Sequence, residues 1–376
     1  MVDCLRCWKN RVGINILCVL FGPYAVIAKV IPWPWPKKLQ SLGIRKIYLV
    51  FDVKRCPLKA DTNAEREQRR QSNLKEARRL KALGQNTKAQ DKYKMCVKGT
   101  DTMARIVTSS FQKARVKTVE CVFSPFEADA QLVKLVVDGH AHAVVTEDSD
   151  ILVYSASCRV AFPIILKLDR SRGSCQIINM DWLLSSSILQ PSQISNDTKK
   201  KNTQKKASTF LTTIRSFAFA ERQCAGQGVR LFVQACVLSG CDYVANSISG
   251  VGLVHAFSLV NQHSHVAADK SFHSILQSKA VPDLDNYEKL LSKSEVVFYH
   301  HILKDLNNMS GNLVPLIIPG SMSILPGLKR FGSILDFVGT NALLSYAPFA
   351  ECDETEDFSI SLSSSSSQSI TCIESS

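Results

Sequence analysis

The chain has 376 residues, of which 45% are hydrophobic and 21% are charged, so it can bury a sizeable core and is not disordered along its whole length. The formal net charge of +13 favours a polyanionic partner, although a generally basic surface remains an alternative. The charge is concentrated, because residues 54–117 hold 18 Lys or Arg against 6 Asp or Glu.

The N-terminal part is harder to interpret. Residues 13–31 are largely apolar and follow Lys9 and Arg11, a pattern shared by signal sequences and membrane anchors. Pro23 and Lys29 interrupt this run, so we expect no membrane association, with a membrane-anchored basic protein as a distant alternative. We expect residues 1–42 to form a divergent or truncated N-terminal segment. The 13 cysteines show no zinc-like or disulfide-like spacing, which predicts free thiols in an intracellular, reducing compartment.

The next elements alternate between strands and helices. Residues 47–51 predict a strand that ends at Asp52, and helices follow over 64–84, 87–97 and 101–113. A second strand is predicted over 119–123, a helix over 124–137 and a third strand over 142–146. This order predicts an α/β fold with a mostly parallel sheet flanked by helices. Because ligand sites in such folds lie at the carboxyl ends of the strands, Asp52 and residues 147–150 should face one crevice.

Three later segments complete the chain. Residues 185–225 are predicted to be a flexible basic insertion, whose lysines at 199–201 and 205–206 suit either a nuclear localisation signal or a solvated loop. An apolar helix is predicted over 229–241, directly before Asp242. Residues 266–350 should be a C-terminal helical extension. The Ser-rich, acidic residues 351–376 should form a disordered tail.

Short acidic clusters stand out in this basic chain. Glu127 and Asp129, and Asp148 and Asp150, are carboxylates spaced i, i+2. Gathered carboxylates repel one another, and hard divalent cations such as Mg²⁺ or Mn²⁺ are the usual compensating charge. In a basic protein such a site indicates cleavage of a phosphate backbone.

Three acidic segments, two of which contain these pairs, resemble the acidic signatures of the structure-specific 5′-nuclease family, which includes flap endonucleases. They are residues 127–131 (EADAQ), 146–150 (TEDSD) and 239–243 (SGCDY), in the family's order. Residues 73–77 (NLKEA), with Gly84, Ala89 and Tyr93, are similar to the exonuclease 1 branch in particular. The resemblance covers about residues 43–259. It implies a PIN-like nuclease core over 43–265, with a helical cap at about 59–117.

The resemblance also implies the metal site. Two Mg²⁺ ions, with Mn²⁺ as a substitute, would be held by carboxylates, which here are Asp52, Glu127, Asp129, Asp148, Asp150 and Asp242. Two such ions roughly 4 Å apart clamp the attacking and leaving oxygens of a phosphodiester. For Glu127 an alternative remains, since residues 124–127 (SPFE) also form a capping box with proline at the first helical position.

Two basic residues match the pair that positions the scissile phosphate in the family. Lys59 and Arg66 are seven residues apart, so both should project from one helix face, although they could be ordinary solvated charges. They are the predicted catalytic cations. Arg78 and Arg79, farther along the same helix, are predicted to give diffuse attraction to single-stranded DNA.

Residues 250–256 (GVGLVHA) resemble the family's helix–two-turn–helix segment. There Gly250 and Gly252 would offer backbone amides to a duplex phosphate, with a K⁺ ion bound nearby. The family usually has basic residues where Val254 and His255 stand, which predicts a weaker grip on duplex DNA.

The chain departs from the family at its start, because residues 1–42 lack the glycine-rich beginning and the aspartate of the first strand. We therefore expect a Mg²⁺-dependent nuclease of weakened activity, acting on DNA 5′ ends, flaps, nicks or gaps. The expected setting is repair or recombination in the nucleus, with mismatch-repair proteins as possible partners. The alternative is a catalytically impaired DNA-binding relative of the same fold.

Overall fold

The computed structural model describes ten stretches of the chain. They are residues 18–20, 45–52, 56–97, 101–113, 118–167, 174–184, 201–244, 248–267, 270–307 and 313–317. The predicted disordered tail at 351–376, most of residues 1–42 and residues 318–350 lie outside them.

Within these stretches, six strands form one sheet. In chain order they are β1 (Cys18–Leu20), β2 (Ile47–Asp52), β3 (Val119–Ser124), β4 (Val144–Val145), β5 (Ile164–Leu166) and β6 (Gln176–Ile178). Their order across the sheet is β3-β2-β1-β4-β5-β6. In this order across the sheet, every neighbouring pair from β3 through β2, β1 and β4 to β5 is parallel. The last strand, β6, pairs antiparallel with β5. These pairings confirm the predicted mostly parallel sheet. The strand order reverses between β1 and β4, and such switch points open a crevice at the carboxyl ends of the strands.

The described helices flank this sheet and follow it. They are α1 (Ala60–Ala82), α2 (Asn86–Cys96), α3 (Asp101–Lys113), α4 (Ala128–Val137), α5 (Asp150–Ser157), α6 (Asp181–Leu184), α7 (Lys201–Gln223), α8 (Gln227–Leu238), α9 (Leu253–Gln262), α10 (Ser271–Ser278) and α11 (Leu284–His300). A short hairpin of β7 (Ile302–Lys304) and β8 (Leu313–Pro315) comes last. None of the described helices is both long and apolar enough to span a lipid bilayer.

The two faces of the sheet are covered by different helices. Because side chains alternate along a strand, Tyr48 and Val50 of β2 pack with α4, α5 and α8 in the larger core. Leu49 and Phe51 point to the opposite face, where Val107 of α3 packs in a smaller core. Asp52 continues the alternation and therefore lies on the side of α4. The Asp52 carboxylate therefore faces α4, the helix that packs on this side of β2.

The α1–α2 hairpin stands apart from this core. Its first helix is 23 residues long, lacks glycine and proline, and buries little besides Ala77 and Leu80. Gly84, with a φ of +74°, ends the helix in the left-handed conformation that glycine adopts easily. The hairpin is held by side-chain contacts such as the 3.1 Å hydrogen bond from Lys92 Nζ to Asn73 Oδ1. A helical cap was predicted for this part of the chain.

Three predictions about organisation need correction. Residues 201–223 form helix α7, so the predicted flexible insertion is wrong for that part, and residues 185–200 lie outside the described stretches. Residues 18–20 form the strand β1 inside the sheet, so the core of the fold begins before residue 43, where the prediction had placed its start. The predicted C-terminal extension contains helices, but α11 and β7 share the main core, so that core does not end at residue 265.

The register of α7 explains the first correction. Phe210, Ile214, Phe217 and Ala218 are buried and recur at helical spacing. These apolar residues pack against α8 and α9, where Phe257 contacts the rings of Phe210 and Phe217. The lysine-rich start of the segment concealed a regular apolar stripe that was present in the sequence.

Candidate active site

Three parallel strands deliver acidic residues to one edge of the sheet. Asp52 ends β2, Glu127 and Asp129 follow β3, and Asp148 and Asp150 follow β4. Asp242 reaches the same place from the loop after α8, where it meets cations of α1 and its preceding turn. The structure therefore brings all six predicted carboxylates into one neighbourhood.

Asp52 is tied to the start of α4. Its Oδ1 accepts a 2.7 Å hydrogen bond from the Ala128 peptide N–H, the first residue of that helix. The first N–H groups of a helix have no partner inside it, so a carboxylate from the neighbouring strand satisfies one of them. Desolvation by the surrounding protein, together with the Glu127 charge, raises the pKa of Asp52 to about 7.

Glu127 occupies the N-cap of α4, yet its side chain makes no capping hydrogen bond. The capping-box alternative is therefore wrong for Glu127, and the helix begins at Ala128 instead of at Ser124 as predicted. Its carboxylate pairs instead with Lys59, whose Nζ lies 2.7 Å from Glu127 Oε2. The Glu127 side chain is thus available to the site.

Lys59 is the buried cation of this neighbourhood. It ends a short 3₁₀ turn, Pro57–Lys59, and only 8% of its surface is exposed. Its ammonium lies 2.7 Å from Glu127 and 3.2 Å from Asp242, and it sits over the Tyr243 ring at 4.8 Å from the centroid. Burial alone would lower the pKa of Lys59, but the carboxylates of Glu127, Asp242 and Asp150 raise it above its ordinary value. Lys59 therefore carries its charge at any physiological pH.

Arg66 shares a carboxylate with Lys59. One guanidinium nitrogen of Arg66 donates to both oxygens of Asp242, at 2.7 and 2.8 Å. Although partial burial opposes it, the two cations lower the pKa of Asp242 below its usual range. Both predicted basic residues thus face the acidic neighbourhood, although Lys59 lies in the turn before α1 and does not share a helix face with Arg66.

Asp129 and Asp150 have the opposite electrostatic setting. Desolvation and the neighbouring carboxylates raise the pKa of Asp150 to about 8 and that of Asp129 well above its usual range. Asp129 Oδ1 is inaccessible to solvent and has no hydrogen-bond partner. Asp148 is held beside them, because its N–H donates to Thr146 Oγ1 and its Oδ1 accepts from the Asp150 N–H. This side of the site has an excess of negative charge.

These donors fit a hard divalent cation in type and charge. The unpartnered Asp129 oxygen and the raised pKa values of Asp52, Asp129 and Asp150 mark carboxylates that a cation would stabilise. Within the described residues, however, no three His, Cys, Asp or Glu side chains are arranged so that they could hold a metal ion. Binding would thus require the carboxylates to turn toward the ion.

The predicted DNA-contacting residues lie on two other elements. Arg78 and Arg79 are exposed on α1, and Arg79 is paired with Glu76 at 2.7 Å. Gly250, with a φ of +76°, and Gly252, the N-cap of α9, form the turn that opens that helix.

At this turn, the ring of His255 ties two elements together. Its Nδ1 lies 3.1 Å from the Gly250 carbonyl oxygen, and its Nε2 lies 3.2 Å from Lys279 Nζ. A basic side chain from beyond α10 therefore reaches the place where the sequence lacks the basic residues usual in the family.

His301 is a residue of the site that sequence reasoning missed. It is 3% exposed, and its Nε2 accepts a 3.3 Å hydrogen bond from the Glu127 N–H. The two residues are 174 positions apart, so local sequence patterns give no signal for this contact. A buried tyrosine pair, with Tyr154 Oη and Tyr243 Oη 2.7 Å apart, was also missed.

Comparison with known proteins places five of the six acidic residues in a recognised region. The family model XPG I-region matches residues 118–242, a range that contains Glu127, Asp129, Asp148, Asp150 and Asp242. Exonuclease 1 of Danio rerio is 32% identical over 224 residues, which are 59% of this chain and 22% of that protein. Exodeoxyribonuclease 1 of Saccharomyces cerevisiae is 30% identical over 219 residues, covering 58% of this chain and 25% of that protein.

The chain thus spans about a quarter of the length of these curated relatives. Among solved structures, the catalytic core of Rad2 in complex with DNA substrate aligns with a TM-score of 0.41 at 15% identity. That alignment covers 76% of this chain and 78% of the Rad2 chain.

Proposed function

We propose a nuclease function for this chain, because residues 118–242 match the XPG I-region family model and the predicted resemblance to exonuclease 1 is confirmed. The proposed activity is metal-dependent hydrolysis of DNA phosphodiester bonds at 5′ ends or flaps. The observation that carries the proposal is the meeting of Asp242 with Lys59 and Arg66 beside the carboxylates of three parallel strands. This arrangement offers both anionic ligands for cations and cationic groups for a phosphate.

The residues of the site would have two roles: the carboxylates would hold cations, and the basic residues would position the phosphate. Asp52, Asp129, Asp148 and Asp150 would hold divalent cations, with Glu127 and Asp242 joining when their ion pairs open. When bound, the cations supply Lewis-acid stabilisation of the charge that develops on the scissile phosphate. Two Mg²⁺ ions, or Mn²⁺ in their place, remain the predicted content, and the unpartnered Asp129 oxygen supports at least one.

Lys59 and Arg66 would position the phosphate. An incoming phosphate would compete with Asp242 for the Arg66 guanidinium, whose side chain is 45% exposed and can turn. Lys59 is buried between two carboxylates and would keep its place. Fixed positive charge near the reacting phosphate costs no reorganisation during the reaction, which makes it effective in catalysis.

The remaining surfaces would bind the rest of the DNA. We propose that α1 and α2 attract a single-stranded 5′ end through their basic residues, including Arg78 and Arg79. The Gly250–Gly252 turn would contact duplex phosphates, with K⁺ as a predicted ion there. Action in the nucleus, in repair or recombination, with mismatch-repair proteins as partners, also belongs to the proposal.

A second candidate function is DNA binding with impaired cleavage. No Asp or Glu lies between Asp3 and Asp52, so the central strand β1 brings no carboxylate to the site. In addition, Lys59 and Arg66 already neutralise Glu127 and Asp242. Both features weaken the hold on a second cation.

Cleavage of a 5′-labelled overhang and a 5′-flap duplex in Mg²⁺, with an EDTA control, separates the two candidates. The nuclease proposal expects slow, Mg²⁺-dependent release of short products that disappears in Asp150→Asn. Tight binding of the same DNA without any release of product, in Mg²⁺ or Mn²⁺, would establish the impaired relative instead.

A further inference from the structure

His301 lies behind the acidic site, outside the matched XPG I-region. It follows α11 directly and precedes β7, and its ring is enclosed by the protein. The ring packs edge-on against Phe126, with centroids 6.2 Å apart, and against Tyr154, with centroids 5.8 Å apart. These contacts fix the orientation of the imidazole and aim its Nε2 at the peptide of Glu127.

The hydrogen bond requires a neutral imidazole with the proton on Nδ1. Nε2 accepts from the Glu127 N–H at 3.3 Å, and a protonated Nε2 could not accept. The ring is buried against Phe126 and Tyr154, and burial disfavours the charged imidazolium. His301 therefore acts as a fixed acceptor.

Three side chains hold the backbone at this point. The Glu127 N–H donates to His301, and the next N–H, of Ala128, donates to Asp52. The Glu127 carbonyl accepts a 3.0 Å hydrogen bond from Ser124 Oγ. With its peptide groups fixed, the Glu127 carboxylate is directed toward Lys59, and Asp129 follows on the first turn of α4.

The segment that carries His301 is itself docked rigidly. Gln131 of α4 is fully buried and forms two hydrogen bonds with the backbone of Lys304, at 3.0 and 2.9 Å. Ser157 of α5 donates a 2.7 Å hydrogen bond to the Phe298 carbonyl. The acceptor that His301 presents to Glu127 therefore has a defined position relative to both helices of the site.

We propose that His301 is a positioning residue for the acidic site, acting through its hydrogen bond with the Glu127 peptide. The inference rests on the proposed function, since it assigns to His301 the task of orienting Glu127 and Asp129 for divalent cations. Groups that orient ligands without touching the ion typically contribute 10- to 100-fold in metal affinity or activity.

The test compares variants that keep or remove the acceptor. His301→Gln retains a neutral acceptor of similar reach, whereas His301→Phe keeps an aromatic ring of similar size without one. Mn²⁺ affinity is measured by electron paramagnetic resonance on the full chain, beside the melting temperature and the Mg²⁺ dependence of single-turnover cleavage. We expect Mn²⁺ affinity to fall ~10-fold in H301F and to stay within ~3-fold of wild type in H301Q.

Several outcomes would overturn the role. They are a well-folded H301F with wild-type Mn²⁺ affinity, or an H301Q that loses as much affinity as H301F. If H301F does not fold, His301→Leu supplies the acceptor-free comparison, and failure of both to fold would indicate a purely structural residue. Absence of cleavage by the wild-type protein would contradict the proposed function only, because the Mn²⁺ measurement tests His301 separately.

Discussion

One guanidinium nitrogen of Arg66 donates hydrogen bonds to both carboxylate oxygens of Asp242, 176 residues further along the chain. The contact joins α1 to the loop that follows α8. It also means that the cation expected to meet a phosphate already has an anionic partner. Under the proposed function, the binding of a phosphate here would exchange one anion for another.

This exchange predicts different effects for two pairs of basic residues. Arg66→Ala or Lys59→Met should lower the single-turnover cleavage rate by ~100-fold, because fixed charge beside the phosphate is removed. The double variant Arg78→Ala with Arg79→Ala should instead raise the dissociation constant for single-stranded DNA. The slope of the logarithm of this dissociation constant against the logarithm of salt concentration should also decrease, by about 0.7 for each phosphate that the protein no longer neutralises.

Single-turnover rates and binding titrations at two salt concentrations measure both quantities. Circular dichroism of Lys59→Met is the necessary control, since this variant leaves Glu127 without its buried cation. Equal effects of the two pairs on rate and on affinity would show that Lys59 and Arg66 are ordinary members of a basic surface.

The carboxylates near β4 give a second prediction. Asp148→Asn or Asp150→Asn removes a ligand charge while preserving side-chain shape, so cleavage in Mg²⁺ should fall at least ~100-fold. DNA binding should persist or tighten, because the phosphate then meets less negative charge. Asp91→Asn, an exposed change at a residue paired with Lys94, is the matched control. Normal cleavage by both site variants would refute their assignment as metal ligands.

The sequence predicted the elements that depend on local pattern. The strand at β2 follows from a short apolar, β-prone run and the helix Asp101–Lys113 from a continuing helical stretch, and both appear where they were expected. The convergence of Asp52 and Asp148 followed from the topology of a parallel sheet. These predictions needed no knowledge of contacts between distant residues.

Helix α7 was missed although its apolar stripe is a local pattern, whereas the other missed features depend on distant contacts. Ser124 and Pro125 form a helix-start pattern, but α4 begins at Ala128 because the carboxylate of Asp52 satisfies its first N–H. His301 reaches the acidic site and Lys279 reaches the Gly250–Gly252 turn, from segments whose sequences carry no local signal of these contacts. The pairing of β1 with β2 and β4 was likewise not predicted, because β1 lies in the interrupted apolar run of residues 13–31.

Close packing between α7 and α8 gives a third prediction. A Cβ atom added at Gly228 would lie 2.1 Å from the Phe217 carbonyl oxygen and 2.6 Å from Glu221 Cβ. Gly228→Ala should therefore push the helices apart and destabilise the protein by ~1–3 kcal/mol or more. Chemical denaturation measures the change. Gly252→Ala is the comparison, because no atom lies within 4 Å of its added Cβ, and an equal loss there would contradict the packing argument.

The buried carboxyl of Glu295 gives a last prediction, about pH. Glu295 lies between α8 and α11, where its Oε2 accepts a 3.1 Å hydrogen bond from Gln234 Nε2. Burial raises the pKa of Glu295 from 4.5 to about 7, although Gln234 and Arg230 oppose the shift. The folded protein thus binds a proton that the unfolded chain has already released between these pH values. The contribution of Glu295 to stability is full below pH 4.5 and is lost as pH rises through 7.

Glu295→Gln keeps an acceptor for Gln234 but cannot ionise. The free energy of unfolding of E295Q, relative to wild type, should therefore rise between pH 5 and pH 8, by about 1.4 kcal/mol for each pKa unit of the shift. Urea denaturation of both proteins at the two pH values measures this difference, and most other titrations cancel in it. Glu65→Gln, on the exposed face of α1, controls for the loss of one negative charge. A relative stability of E295Q that is constant or falls between pH 5 and pH 8 would show that Glu295 is already ionised in the folded core at pH 5.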